Sequence, residues 1–402
     1  MKPPFFLAQI VQWLLNPRWI RRSIGFLLAA TLGMATAGGK PPYSYSITGS
    51  DQSPVPALAQ PSAPSIVLMG GGPDVDEAFR WMLTRAGIRP GTGGRFVVIR
   101  ATGTGAYNPY IYYSNAALTT SGPIADQWVG GASLGLTSVE TLVIPSIAAA
   151  NDKFVNSVVS KANAVFIAGG DQSDYIKYWK GTSLETSLKS LMAKNVPIGG
   201  TSAGLAVLGQ FDFAALSGTV TSAQALSNPF NRYMTLDPNP LSLAGGFLTS
   251  PALANTILDS HLDSRDRMGR LISFVARLVA RDGTTGCAGG ILTAGSVNLV
   301  GARGIGVGVE TALLVQGNGG SRPYTARRVT NSSTITESAV YFVRPLNPPT
   351  VCASGQPLTM LTVEIKKLVD SKIEFNLSDW SGLPRSTYFV DAYSGALTVV
   401  PY

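Results

Sequence analysis

The chain has 402 residues, 45% of them apolar and only 13% charged, which allows a large buried core and excludes a highly charged disordered polymer. Its formal charge of +8 is not gathered into a dense Lys/Arg patch with interleaved aromatics, so the electrostatic footprint of a nucleic-acid binder is missing. The two cysteines, Cys287 and Cys352, have no metal-ligand spacing, and neither a metal nor another cofactor is expected.

In chain order, Arg18, Arg21 and Arg22 precede an apolar run over 23–37 that ends Ala35-Thr36-Ala37. Basic, apolar and small residues in that order predict a secretory signal over 1–37, cleaved after Ala37. An uncleaved anchor is the competing reading, but the run of about fifteen residues falls short of the roughly 20 that a spanning helix needs. Loss of 1–37 removes Lys2 and three arginines but no acid, lowering the formal charge to +4. The expected location is secreted or periplasmic, with no stable membrane association after cleavage. In such an oxidising compartment Cys287 and Cys352 could pair, a point the spacing leaves open.

Residues 38–63 are rich in Pro, Ser and Gly without periodicity and predict a flexible linker. An α/β domain is expected over 64–320. The apolar stretches 65–69, 95–100, 140–145 and 164–168 predict strands, and the 3.6-residue spacing over 74–86, 151–161 and 183–194 predicts helices between or after them. Strands alternating with helices imply a doubly wound, mostly parallel sheet. Beyond about residue 290 the runs 304–315, 338–344, 361–365 and 387–390 are strand-like. We expect 321–402 to form a β-rich C-terminal extension packed on the main domain.

The most informative segment is Val196-Pro-Ile-Gly-Gly-Thr-Ser-Ala-Gly-Leu-Ala-Val-Leu208. A short strand runs into the G-x-S-x-G sequence Gly200–Gly204, and a small-residue helix follows. Glycines at both ends relieve crowding at a sharp turn that presents Ser202 above the sheet edge as a nucleophile. The same turn aims the Ala203 N–H at a developing oxyanion. The bland alternative is an ordinary strand-to-helix turn whose serine caps the helix.

Serine needs a base, most often histidine, and this chain contains one, His261. It precedes an amphipathic segment with Met268, Leu271, Ile272, Val275, Leu278 and Val279 on one side. Around it stand Asp259, Asp263, Arg265, Asp266, Arg267 and Arg270, six charges in twelve residues. They read either as a solvated helix face with local ion pairs or as a carboxylate-binding site, because arginine's planar fork suits bidentate capture.

Three blocks, Ala168-Gly-Gly-Asp-Gln172, Gly199-Gly-Thr-Ser-Ala-Gly204 and Asp259-Ser-His-Leu-Asp-Ser-Arg-Asp-Arg-Met-Gly-Arg270, resemble the cyanophycinase and peptidase E family of serine peptidases. The third block is the most specific, and the similarity extends over about 65–400. The resemblance implies a fold close to class I glutamine amidotransferases, a Ser, His, acid triad, and a peptide or polymer substrate rich in aspartate. Cyanophycinases hydrolyse a poly-aspartate whose β-carboxylates carry arginine. Carried over by position, Ser202 is the nucleophile and His261 the base. Gln172, Asp259, Arg265, Arg267 and Arg270 would line the substrate pocket, and Gly169 or Gly170 would join Ala203 in the oxyanion hole.

Ser260 stands where cyanophycinases commonly have Gln. The family run Gly-Ile-Gly-Ile-Asp-Glu, whose Glu orients the base, corresponds to Gly304-Ile-Gly-Val-Gly-Val-Glu310. Aligned without gaps its Glu falls on Val309, and adjacent strand residues face opposite ways. A bulge would be needed to bring Glu310 round as the third triad member. The expected function is hydrolysis of aspartyl or β-aspartyl peptide bonds through an acyl-enzyme on Ser202. A non-catalytic secreted binding protein with a degenerate triad is the competing class. A homodimer is compatible with either. A glutamine amidotransferase is disfavoured because that chemistry uses Cys at the elbow.

Overall fold

Short runs of apolar and β-branched residues between helices fold into the parallel heart of the molecule. It is made of β2 (Ser65–Met69), β3 (Arg95–Arg100), β4 (Ser138–Val143), β5 (Ala164–Ile167) and β6 (Ile198–Thr201). The structure is a computed structural model that describes residues 40–52, 60–114, 128–295, 301–318, 323–330, 338–382 and 386–402; the expected signal over 1–37 lies outside them. Residues from Pro41 to Tyr402 form one compact unit.

The parallel strands run in the order β4-β3-β5-β6-β2. Their residues, such as Val67, Phe96, Val98 and Phe166, are almost wholly buried, as expected of strands covered on both faces. Helices α1 (Asp76–Arg85), α2 (Tyr107–Tyr112), α3 (Ile147–Ala150), α4 (Lys153–Ser160), α5 (Gln172–Trp179) and α6 (Ser183–Ala193) connect them. The mixed α/β class with a largely parallel central sheet agrees with the expectation.

The expected linker over 38–63 needs correcting. Its residues Ser44–Gly49 form β1, antiparallel to β4 on the sheet edge. Tyr43 and Tyr45 pack against Phe154 at 5.3 and 5.0 Å between ring centroids, so tyrosines supply the anchorage that the Pro/Ser/Gly composition hides.

After β6 come α7 (Ala203–Ala206), the ribbon β7 (Asp212–Phe213) and β8 (Leu236–Asp237), α8 (Ser222–Ser227) between them, then β9 (Thr256–Ser260) and α9 (Met268–Leu278). Helix α9 buries Met268, Leu271, Ile272, Val275 and Leu278 as its spacing predicts. The run expected as one strand over 304–315 divides in two. β10 (Arg303–Val307) pairs in parallel with β9, and β11 (Thr311–Gly317) pairs antiparallel with β2 in the other sheet.

The remaining strands are β12 (Tyr324–Thr330), β13 (Val340–Pro345), β14 (Met360–Leu368), β15 (Glu374–Asn376), β16 (Ser386–Tyr393) and β17 (Ala396–Leu397). The first sheet is completed as β1-β4-β3-β5-β6-β2-β11-β12-β15, and the second runs β17-β16-β14-β13-β10-β9. The expected boundary at residue 320 therefore falls inside both sheets, because hydrogen-bonded strands lie on either side of it in each. Cys287 and Cys352 are joined in a disulfide with Cα atoms 5.0 Å apart.

Candidate active site

The carboxyl ends of β6 in one sheet and β9 in the other meet at one point. At the end of β6, Ser202 takes φ 53° and ψ −114°, a left-handed conformation that costs a non-glycine residue on the order of 1–3 kcal/mol. The flanking glycines make the turn feasible. A Cβ on Gly200 would lie 2.3 Å from the Gly204 carbonyl oxygen, and one on Gly204 would lie 2.1 Å from that of Ile167. The Ser202 N–H donates to the Met69 carbonyl at 3.1 Å, tying the elbow to β2.

His261 follows β9, also with positive φ (49°). Its N–H donates to the Gly70 carbonyl at 2.8 Å. A Cβ on Gly71 would come within 2.3 Å of the imidazole, so only glycine leaves room for the ring there. The outcome is a 2.9 Å hydrogen bond between Ser202 Oγ and His261 Nε2, across 59 residues of sequence. Burial, followed by the charges of Arg265 and Arg267, pushes the imidazole down to about 4, against the smaller opposing pull of Asp259. Near neutral pH the ring is therefore unprotonated and able to accept a proton.

A cavity of about 260 Å³ opens beside this pair. Gly170, Gln172, Ser202, Ala203, Arg265, Arg267 and Arg270 line it, whereas Asp259, His261 and Glu310 do not. The Gln172 amide nitrogen donates to the Phe213 carbonyl at 3.3 Å. Among the described residues, the N–H groups of Gly170 and Ala203 make no backbone hydrogen bond. A Cβ on the neighbouring Gly169 would sit 3.4 Å from the Ser202 Cβ. Gly170 and Ala203 thus line the same cavity as Ser202 with backbone donors to spare. A larger cavity of about 420 Å³ lies at the opposite ends of β2 and β6, around Ser65, Ile198 and Tyr324. It holds no nucleophile and base, and ligands of open α/β sheets bind at the carboxyl ends.

The arginine cluster divides by task. Arg270 is bound to Asp259 in bidentate fashion, Nε to Oδ2 at 2.7 Å and Nη2 to Oδ1 at 2.6 Å, with both residues 2% exposed. Its Nη1 donates to Thr219 Oγ1 and to the Val220 carbonyl, and the guanidinium lies over Phe213 and Phe274 at 5.2 and 5.7 Å from the centroids. Of the two residues expected to line the substrate pocket, Arg270 reaches the cavity wall and Asp259 does not, and the Nε and Nη2 donors of Arg270 are taken by Asp259. Arg267 donates to the Ser260 carbonyl at 2.9 Å and stands 3.8 Å from Asp259. Arg265 is exposed, and its guanidinium makes no hydrogen bond or ion pair among the described residues. These two arginines are the cations turned to the cavity with fork donors to spare.

Glu310 sits in the turn between β10 and β11 with φ 52°, not on a strand, so no bulge arises. Its N–H donates to the Gly71 carbonyl at 2.9 Å and its carbonyl accepts from Thr330 Oγ1 at 2.6 Å. A Cβ on Gly71 would meet the His261 imidazole and one on Gly72 would lie 3.7 Å from Glu310 Cγ, so the two residues flank the same pair of glycines. Sequence reasoning also missed Ala215, Gly218 and Thr219, which form a cavity wall. Nothing in their residue types marks them.

Residues 132–220 match the model of peptidase family S51, a segment that contains β5, α5 and the Ser202 elbow. A cyanophycinase from Geminocystis herdmanii is 29% identical over 152 residues, covering 37% of this chain and 50% of the relative. The chain thus matches about half the length of that curated relative. The crystal structure of a peptidase from an acI-B1 actinobacterium covers 73% of this chain and 96% of its own, at 14% identity and a TM-score of 0.40. In the segment around Ser202 this chain is thus similar to peptidase family S51, and over 152 residues to a cyanophycinase.

Proposed function

We propose that the protein is a serine-type peptidase of the cyanophycinase and peptidase E kind that hydrolyses aspartyl or β-aspartyl peptide bonds through an acyl-enzyme on Ser202. The observation that carries this reading is the Ser202 Oγ to His261 Nε2 contact of 2.9 Å at the wall of an arginine-lined cavity. In the first half-reaction Ser202 Oγ attacks the scissile carbonyl while His261 Nε2 takes its proton. The Gly170 and Ala203 N–H groups hold the oxyanion, and the imidazolium then protonates the leaving amine. Water, deprotonated by the same ring, releases the acid. Arg265 and Arg267 would hold a substrate carboxylate. Export is part of the proposal, supported by the basic, apolar and small-residue order of 1–37 and by the disulfide, which suits an oxidising compartment.

A second reading, an exported binding protein with a degenerate triad, draws on the position of Glu310 in a turn rather than on the strand that the family run implies. Fluorophosphonate labelling separates the two. Rapid labelling of the parent, abolished in Ser202→Ala, is expected of the peptidase, and an unlabelled parent would favour the binding protein. Incubation with insoluble cyanophycin and with short α-aspartyl and β-aspartyl peptides, followed by mass spectrometry, then identifies the linkage cleaved.

A further inference from the structure

The loop from His261 to Arg267 carries the base and both cavity-facing arginines, yet has little regular structure of its own. His261 and Asp266 both have positive φ, 49° and 47°. Two ties within it are local, from the Arg265 N–H to the His261 carbonyl at 3.2 Å and from the Arg267 N–H to the Leu262 carbonyl at 2.8 Å. A third anchor comes from 136 to 140 residues away in the chain. The Tyr402 hydroxyl accepts the Met268 N–H at 3.0 Å, and its one proton is shared between the Leu262 carbonyl at 3.0 Å and Asp266 Oδ1 at 3.1 Å.

Met268 begins α9, so its N–H is one of the donors a helix start leaves without an intrahelical acceptor. Leu262 directly follows the base. One phenol therefore clamps both ends of the loop. It is itself held, because its ring packs edge-on against Tyr341 at 5.9 Å and the preceding Pro401 carbonyl accepts from Tyr388 at 2.6 Å.

We infer that Tyr402 is a positioning residue, whose hydroxyl pins the loop that holds His261 against Ser202 and keeps Arg265 and Arg267 at the cavity. The inference rests on the proposed roles of Ser202 and His261, but its test does not need activity. Because the chain has a single histidine, the imidazole signals of histidine-labelled protein in an NMR titration report this ring alone. Charged groups that act on the ring include Arg265, Arg267, Asp259 and Arg270, and Glu310 stands on the far side of Gly71, whose carbonyl accepts its N–H.

Tyr402→Phe removes the hydroxyl and keeps the ring packed. With the loop freed, the imidazole gains water and moves away from two cations. Its midpoint is therefore expected to rise from about 4 by about one pH unit toward the ordinary value. Measured well below the melting point of either protein, a hydroxyl that merely adds stability leaves the midpoint in place, and an unchanged midpoint overturns the inference. Fluorophosphonate labelling of the parent, run in parallel, separates the two ideas. An unlabelled parent sinks the peptidase reading, while the titration still judges Tyr402.

Discussion

Ser202 and His261 meet at 2.9 Å but are held there by opposite means. The serine is placed by backbone over the seven residues 198–204, a four-residue strand, a left-handed turn and two glycines too close to their neighbours to carry a Cβ. The histidine is placed by distant groups. Gly70 accepts its N–H, Gly71 leaves room for its ring, Tyr402 clamps its loop, and Asp259 and Arg270 form a buried ion pair behind it. A site can thus have one half insensitive to the surrounding side chains and another that depends on electrostatics across the whole unit.

The largest expected effect tests the meeting point itself. Ser202→Ala should reduce hydrolysis by about four orders of magnitude or more with the melting temperature retained, and His261→Ala should cost about as much. A double mutant far worse than either single one would show that the two do not act as a unit. Next comes the dependence of the histidine side on charge. Asp259→Ala leaves Arg270 buried without its carboxylate and should destabilise the fold by about 3–5 kcal/mol in denaturant unfolding. A loss under about 1 kcal/mol would mean that water reaches the guanidinium.

Acid sharpens the same contrast. His261 has a folded value of about 4, below its ordinary 6.5. The unfolded chain thus takes up a proton between those values while the folded one does not. Stability is full above about 6.5 and declines as pH falls toward 4. Over the same range kcat/KM should stay level down to about 5, then fall with a midpoint near 4. A midpoint near 6.5 would put the ring in water. The last comparison is at Glu310, whose N–H is held by Gly71 beside the imidazole. If Glu310 orients His261, Glu310→Gln should lower kcat by about a hundredfold or more with the melting temperature retained. A change under about twofold would remove it from the triad.

What was legible in the sequence follows the same division. The elbow could be read because its glycine spacing is written within five residues, even though the crowding at Gly204 comes from Ile167 on β5. Helix α9 and strands β2 and β3 could be read because their periodicity is their own. The charges after Asp259 were visible as a cluster, but their pairing was not. Which arginine is sequestered depends on Thr219, Phe213 and Phe274 closing around Arg270, and those residues carry no mark in the sequence. The run over 304–315 misled because strand composition continues through Gly308, Val309 and Glu310. Only the two sheets' separate demands for β10 and β11 impose the turn there. β1 was hidden by its surroundings of Pro, Ser and Gly, since its ordering comes from Phe154, more than a hundred residues on.

The short strand β15 carries a further consequence. β14 and β16, which flank it in sequence, belong to one sheet, while β15 caps β12 at the edge of the other. During synthesis, then, neither sheet can be finished until the last eighty or so residues have emerged, which takes on the order of ten seconds at a ribosome's pace. β10 and β11 have bare edges until β13 and β12 follow, and β12 and β14 until β15 and β16 do, each open meanwhile to pairing with strands of another chain. Biogenesis of this protein is therefore weighted toward its final segment, and whatever shields the nascent chain must do so until β15 and β16 arrive.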